Sequence, residues 1–598
     1  MNAIFRVTGV LCMALFLAAA GTSDSPLVDA AKAGDQETAR ALLEEGIVDV
    51  NEAEGDGMTA LHYAAMNGDG DLAELLVSAG ADVSAVTRLG SYTPLHLASR
   101  RGNADAVRVL LEAGADAHAT TDTGEATTLH LAAASGSSEA VRLLLEAGVE
   151  PDARESRWGQ TPLIFAASAN RAEAIRTLLD GGADPSVTTK AVNIPQLAEF
   201  HSEAHDEFDR VLEEFEEEYR EEHGEDATFS PTQEQLRAAS DAVREYLRTM
   251  EPLEAEEPEP GTTSQNQLVG SWGGLTALLH AVRQGHKEST LALLEGGADI
   301  NQVSGGDSTS PLLMAAINGQ FDLAITLLEH GADPMLASEA GATPLYAAIE
   351  RQWTPRSRFP QVREHRYQEA SHLDLMEALL EAGADPNVRL DKHLWYMAHV
   401  SCGNFNCGLE VVWGATPFWR AAYGLDVDAM QLLIAYGADP NIPTRKPPER
   451  GNPYGDDDEE EEQDPSGLPA IEEGGPGVYP IHAVSGVGYG TGFGGNAHQY
   501  HPSGFLPALK FLVEEVGVDV NARDHNGYTA LHHAASRGDN EVIHYLVENG
   551  ADVTVVSRAG QTTADMANGP VQRVSPYPAT VELLESLGSH NNDNCLAC

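Results

Sequence analysis

Two short patterns of apolar and polar positions alternate along the chain. One reads "TALHYAA" from Thr59, "TPLHLAS" from Thr93, "TTLHLAA" from Thr127, "TPLIFAA" from Thr161, "TPLYAAI" from Thr343, "TPFWRAA" from Thr416 and "TALHHAA" from Thr529. The other reads "LAELLVSAG", "AVRVLLEAG" or "LAITLLEHG". Its leucines, at successive and four-residue spacings, lay a broad apolar stripe along a helix. In the first pattern Thr93 can act as N-cap and Pro94 as the first helical residue, where a missing N–H costs nothing. The small alanines that follow let a neighbouring helix approach closely. The glycine after the second pattern ends its helix in a left-handed conformation. The unit is therefore helix, turn, helix, loop. Its period is set by Gly-Ala-Asp or a close variant, beginning at Gly46, Gly80, Gly114, Gly148 and Gly182, five copies 34 residues apart. Further copies begin at Gly297, Gly331, Gly383, Gly437, Gly517 and Gly550. With a degenerate last copy the count is twelve. A chain of 598 residues is too long for one core, and this series predicts an all-α repeat solenoid whose units bury their apolar faces against neighbours.

The T-P-L-H-x-A stretch in a period near 33 resembles the ankyrin repeat. With the leader described below, the chain resembles an exported multi-ankyrin protein of bacterial type. The resemblance implies an L-shaped array of paired helices with hairpin-like fingers on one edge. The ends fit polar capping repeats: the first reads "SPLVDAAKAGD", and the last, "TTADMANG", has Asp565 at the histidine position. The resemblance gives Thr59 with His62, Thr93 with His96, Thr127 with His130 and Thr529 with His532 a structural role, supporting finger and helix start by hydrogen bonding. Four such histidines on separate repeats cannot converge on one metal ion. The resemblance also implies contact positions at the end of each first helix and near each finger: Met66, Asn67, Arg100, Arg101, Ser135, Arg283, Gln284, Asn318, Tyr423 and Arg537.

The organisation expected is a signal peptide over 1–20, repeats one to five over 21–185, an insertion over 186–271, repeats six to twelve over 272–588, and a tail over 589–598. Smaller insertions fall at 354–372, 389–413, 442–478 and 487–504. In the largest, Leu197, Phe200, Ala204, Phe208, Val211, Phe215 and Tyr219 make one helix face. A second helix follows, with Ser230 as N-cap, Pro231 first and Gln233 completing a capping box. The two pair as a hairpin that either covers the solenoid edge or docks a partner, and "EPLEAEEPEPGTTSQNQ" after them reads as a disordered linker. Arg356, Arg358, Arg363 and Arg366, close to Arg351, form a basic cluster that neutralises an acidic neighbour or captures an anion. The 389–413 segment adds Trp395, Tyr396, Phe405 and Trp413 as candidate contacts, since aromatics often carry interface energy. Packing on the adjacent repeat is the alternative.

Charge narrows the partners. With 92 acids against 36 bases, a formal charge of −56 opposes nucleic acid and anionic lipid. The run "DDDEEEEQD" from Asp456 to Asp464 reads as a solvated tether. Divalent cations could gather weakly at such runs, although the ligand spacing of an EF-hand is missing. His482, His498 and His501 are a zinc candidate of the same standing, and the Gly-rich loop beside them lacks the ending of a phosphate loop.

Arg6, the apolar "VTGVLCMALFLAAA" and the Ala18–Ala20 pair form a signal peptide, so the chain is expected in the periplasm or outside the cell, with no stable membrane anchor after cleavage. Cys402 with Cys407 and Cys595 with Cys598 are expected as local disulfides in an exported protein. No cofactor is expected. The function expected is protein–protein recognition by a non-catalytic scaffold. One rival is a structural or inhibitory protector of a co-exported protein. The other, a metal-dependent enzyme built in the inserts, lacks any nucleophile motif or paired catalytic groups in one segment.

Overall fold

Most repeats start where a hydroxyl takes up one of a helix's orphan N–H groups, and a carboxylate often does so for the second helix. Thr59, Thr93, Thr161, Thr276, Ser310, Thr343 and Thr416 all accept from the backbone N–H three residues on. Asp35, Asp69, Asp426 and Asp539 do the same for second helices. The aspartate of the Gly-Ala-Asp triplet has its own reason: Asp82, Asp116, Asp184 and Asp333 each accept from the N–H two residues on, which fixes the loop after the helix. Gly80 and Gly182, ahead of two of those aspartates, sit at φ +93°, where a side chain would be strained.

The computed structural model describes residues 25–224, 227–249, 270–354, 363–392, 394, 412–447, 464–489, 499–569 and 575–595. The chain divides into two units, residues 1–190 with 275–299 and residues 191–274 with 300–598.

Among the described residues the first unit holds six helix pairs: Pro26–Ala33 and Gln36–Glu45, Ala60–Asn67 and Gly70–Ser78, Pro94–Arg101 and Ala104–Glu112, Thr128–Ser135 and Ser138–Glu146, Pro162–Ser168 and Ala172–Asp180, Ala277–Gln284 and Lys287–Glu295. Stacking continues across the large insertion: the sixth pair packs on the fifth, first helix on first and second on second. Leucines such as Leu61, Leu76, Leu110, Leu144 and Leu178 are fully buried between pairs. A cross-repeat bond recurs in the turn between helices. Asn103 Nδ2 donates to Ala65 O at 2.9 Å, Arg171 Nε to Ala134 O at 3.1 Å and His286 Nδ1 to Ala167 O at 3.0 Å. Three donor chemistries thus satisfy carbonyls of the first helix's last turn.

The second unit holds the pairs Pro311–Asn318 and Phe321–Glu329, Pro344–Gln352 and His372–Glu381, Pro417–Tyr423 and Val427–Ala435, Pro480–Ala483 and Phe505–Lys510, Ala530–Ser536 and Asn540–Glu548, Thr563–Ala567 and Pro578–Leu587. In the tenth repeat the second helix runs on into a π-helical turn, Phe511–Val516. From the buried Leu512 to Gly517 this repeat has one residue more than Leu110 to Gly114 in the third, and the π turn absorbs it while keeping Ala508, Leu509 and Leu512 in the core.

This unit also holds the insertion. Strands β1 (Ala191–Asn193) and β2 (Ser271–Gly273) pair antiparallel, Ala191 opposite Gly273. Between them run helices Ile194–His223 and Gln233–Thr249, packed on each other and joined by Tyr246 Oη donating to Glu203 Oε2 at 3.1 Å. The expected cap of the second helix is corrected. Thr232 and Gln235 form the box, with Thr232 N–H donating to Gln235 Oε1 at 2.9 Å and Gln235 N–H to Thr232 Oγ1 at 3.3 Å. Ser230 and Gln233 have the right spacing, but the helix starts at Gln233, so the box lies two residues further on.

Candidate protein-binding surface

The threonine–histidine pairs build the platform. Thr59 N–H donates to His62 Nδ1 at 3.2 Å, and the same bond at the same length joins Thr93 to His96, Thr127 to His130 and Thr529 to His532. Because a backbone N–H can only donate, Nδ1 is the acceptor and the proton sits on Nε2. In the second and fourth repeats that Nε2 donates to Tyr92 O at 3.1 Å and Gln160 O at 3.0 Å, the carbonyl just before the next repeat's cap. Trp419 stands at the histidine position of the ninth repeat, and its Nε1 reaches the corresponding carbonyl, Val478 O, at 2.9 Å. Burial drives the pKa of His62, His96 and His130 below the ordinary value, and that of His532 down to about 3. These rings are neutral struts.

Neighbouring fingers are tied by backbone bonds. In the first unit Arg88 N–H donates to Asp56 O at 2.8 Å, Asp122 to Gly90 O at 3.2 Å, Ser156 to Gly124 O at 2.8 Å and Lys190 to Trp158 O at 2.8 Å. The ladder holds finger tips in a fixed row that leaves Leu89 84% exposed, Val86 51% and Trp158 39%. Arg157 lies over the Trp158 ring, 5.5 Å from its centroid.

At the first-helix ends of this unit, Asn67, Arg100, Arg101 and Gln284 are exposed, and Met66, Ser135 and Arg283 are half-buried. Asn67 Nδ2 donates to Ala31 O at 3.0 Å, and Arg100 sits over the Tyr92 ring at 5.8 Å. Burial lowers the Arg283 guanidinium from its ordinary value. His280 beside it is pushed down to about 4 by burial and then by that cation. The arrangement offers cationic and amide groups beside apolar finger tips, a combination suited to gripping a protein surface.

The second unit treats the same positions differently, and two expected contacts are corrected. Tyr423 is 1% exposed, stacked on Trp419 with ring centroids 5.3 Å apart. Arg537 keeps 5% of its side chain exposed, lies 3.3 Å from the Phe505 ring centroid and donates to Asp539 Oδ2 at 2.5 Å. Neither presents itself to a partner, because residues 499–505 of the chain lie against these helix ends. His501 N–H donates to Gly424 O at 2.8 Å, Gln499 Nε2 bonds Thr354 O, and Arg363 Nη1 donates to Gln499 Oε1 at 3.0 Å. Glu369 and Ala370 N–H groups donate to the Asp322 carboxylate at 3.0 and 2.8 Å. Asn318 is half-buried, its Nδ2 turned back to Met314 O at 2.9 Å. Trp413 is half-buried under Arg445, 5.6 Å from its ring centroid. Trp395, Tyr396, Phe405, Cys402, Cys407, Cys598, Arg356, Arg358, His498 and residues 456–463 of the acidic run lie outside the described residues, as does the leader. Cys595 is described, with its N–H donating to Asp593 O at 3.0 Å.

Sequence reasoning missed a buried polar knot between the eighth and ninth repeats. Arg420, 0% exposed, pairs with Glu350, 2% exposed, and its Nη2 donates to Trp353 O at 2.9 Å. Trp353 Nε1 and His372 Nε2 both donate to Asp426 Oδ2, at 2.9 and 2.7 Å. Burial works to raise the Asp426 carboxyl, but these donors outweigh it and hold it below the usual range. Burial likewise opposes charge on Arg420, and Glu350 more than restores it. The available signal was Arg420 itself, standing where Leu97 stands in the third repeat. Among the described residues no three His, Cys, Asp or Glu side chains are placed to hold a metal ion. His482 spends both ring nitrogens internally, on Tyr479 N–H at 3.1 Å and Ala522 O at 2.9 Å. No described helix is long and apolar enough to cross a membrane.

Comparison with known proteins bears on this surface. A family model described as ankyrin repeats in three copies matches residues 6–87, 27–121, 95–189 and 278–390. One described as ankyrin repeats in many copies matches 498–547, and one described as ankyrin repeat matches 413–445. Protein phosphatase 1 regulatory subunit 12A of Mus musculus is 36% identical over 85 residues, 14% of this chain and 8% of the relative. The B-cell lymphoma 3 protein homolog of Mus musculus is 39% identical over 87 residues, 14% of this chain and 19% of the relative. The 2-5A-dependent ribonuclease of Homo sapiens is 33% identical over 99 residues, 17% of this chain and 13% of the relative. The chain spans less than a fifth of the length of each.

Proposed function

Since the chain belongs to the ankyrin-repeat family, we propose that it is an exported, non-catalytic scaffold that binds a protein partner through repeats two to six. The observation carrying this is the contrast between the units: helix ends stay open around Arg100, Arg101 and Gln284, whereas residues 499–505 lie against those around Tyr423 and Arg537. A family whose repeats serve regulatory and interaction proteins supports binding as the activity. The apolar leader with its Ala18–Ala20 pair supports export.

The partner engages an ordered platform, so association changes no bonds and needs little rearrangement of the repeats. Exposed arginines and finger-tip apolar groups supply the anchors. The test is cross-linking of the mature chain in its native compartment, with identification of what is captured. Arg100→Glu with Arg101→Glu should lower recovery of that partner at least about tenfold, the scale of losing one interface anchor. Arg142→Glu with Arg176→Glu, the same charge change on second helices, should not. Equal losses from both pairs would show that bulk charge governs capture and would end this reading. N-terminal sequencing of the recovered chain tests export, with a start near residue 21 expected.

A further inference from the structure

The helical hairpin of the insertion has an apolar seam that two helices alone cannot close. Along Ile194–His223 only Ala204 is buried, and along Gln233–Thr249 Ala239 alone reaches burial among the residues whose exposure is described. Phe200, Phe208, Val211, Phe215 and Tyr219 remain half-buried, and Leu197 and Leu236 are 39% and 38% exposed. The contrast with the repeats is sharp, where Leu110, Leu144 and Leu178 are at 0% because each helix has neighbours on two sides. A residue in the seam of an isolated pair is shielded from the front and open at its flanks. A further helix laid along the groove would complete its burial.

Charge decides what that helix can be. The first hairpin helix carries twelve acids against two arginines. Both arginines are already engaged, Arg210 with Glu207 and Glu214, and Arg220 with Glu216. Glu213, Glu217, Glu218, Glu221 and Glu222 stay exposed beside the seam. A second copy of the hairpin would bring like charge against like charge. The second helix is balanced, with Arg237, Arg244 and Arg248 against Glu234, Asp241 and Glu245, so a basic amphipathic helix matches both the apolar stripe and the acidic margin that the first helix supplies.

We infer that the hairpin over residues 194–249 is a docking groove for a basic amphipathic helix of a partner protein, which completes a three-helix bundle. The groove is built from residues 194–249 and uses no residue of repeats two to six, so failure of this inference leaves that reading standing.

The test uses the full mature chain and two synthetic peptides of about eighteen residues, five helical turns. Both contain only leucine and lysine: one sets the leucines at three- and four-residue spacings, and the other has the same composition scrambled around the helix. Fluorescence anisotropy near physiological salt should show the ordered peptide binding at least about tenfold tighter, since the two differ only in apolar burial. Phe208→Ser with Phe215→Ser should abolish that difference. Because this variant could loosen the hairpin, Glu213→Gln, Glu217→Gln and Glu218→Gln together, which keep the apolar seam, should flatten the salt dependence of binding. Equal affinities for the two peptides would overturn the inference. So would indifference to both sets of substitutions, or a hairpin-dependent dimer of the chain seen by sedimentation without peptide.

Discussion

A histidine ring locked between a cap and the next finger is a small part with two clients. Replacing His62 by alanine removes the acceptor for Thr59 N–H and the donor to Tyr92 O together. The cost should be about 1–3 kcal/mol, the range for leaving a buried polar group unpaired, read from the shift in urea midpoint. Burial holds His62, His96 and His130 below the ordinary histidine pKa, His482 and His280 near 4, and His532 near 3. The folded state thus binds fewer protons than the unfolded chain between these values and about 6.5. Stability from these rings is complete above about pH 6.5 and falls as pH drops through that window. Thermal midpoints at pH 8, 6 and 5 should decline in that order, and a flat profile would contradict neutral buried rings. The Arg420–Glu350 pair adds a sharper case. Arg420→Met alone strands a buried carboxylate and should cost about 3–5 kcal/mol, and adding Glu350→Leu should recover most of it. Denaturant titration of the single and double variants separates the two effects.

At the scale of elements, the hydrophobic and capping pattern is enough to find helices, because each repeat writes the same threonine, leucine stripe and glycine. It is not enough where a repeat carries an extra residue, as between Leu512 and Gly517. The stripe alone does not say whether the helix ends early or absorbs the residue in a π turn, and only the fit of Leu512 into the core decides. Deleting Val516, a half-exposed residue of that turn, should therefore shift the thermal midpoint by only a few degrees, a change of about 1 kcal/mol or less in a domain of this size. Helix caps were harder to read than helix bodies. Ser230 and Thr232 both have a glutamine three residues on, and only the second lies at the true helix start.

For the molecule as a whole, what sequence could not supply was the fate of the contact positions. The family pattern places Tyr423 and Arg537 where partners bind, yet His501 and Gln499 come from a loop remote in sequence to cover the helix end beside Tyr423, and Phe505 of the preceding repeat lies against Arg537. No local pattern announces such a lid, since it depends on where a non-repeating loop settles. A formal charge of −56 should also be felt everywhere at once. Added sodium chloride screens repulsion between exposed carboxylates, so the thermal midpoint should rise between low salt and about 0.5 M, where the screening length falls to a few ångströms.

The two strands at the mouth of the insertion reach beyond stability. Ala191 stands opposite Gly273, and Thr189 N–H already donates to Leu275 O at 3.0 Å. The chain departs and rejoins at almost one point, while the fifth and sixth repeats meet as if nothing separated them. A lineage could acquire such a cassette, exchange it or shed it without any helix of the array having to find a new neighbour.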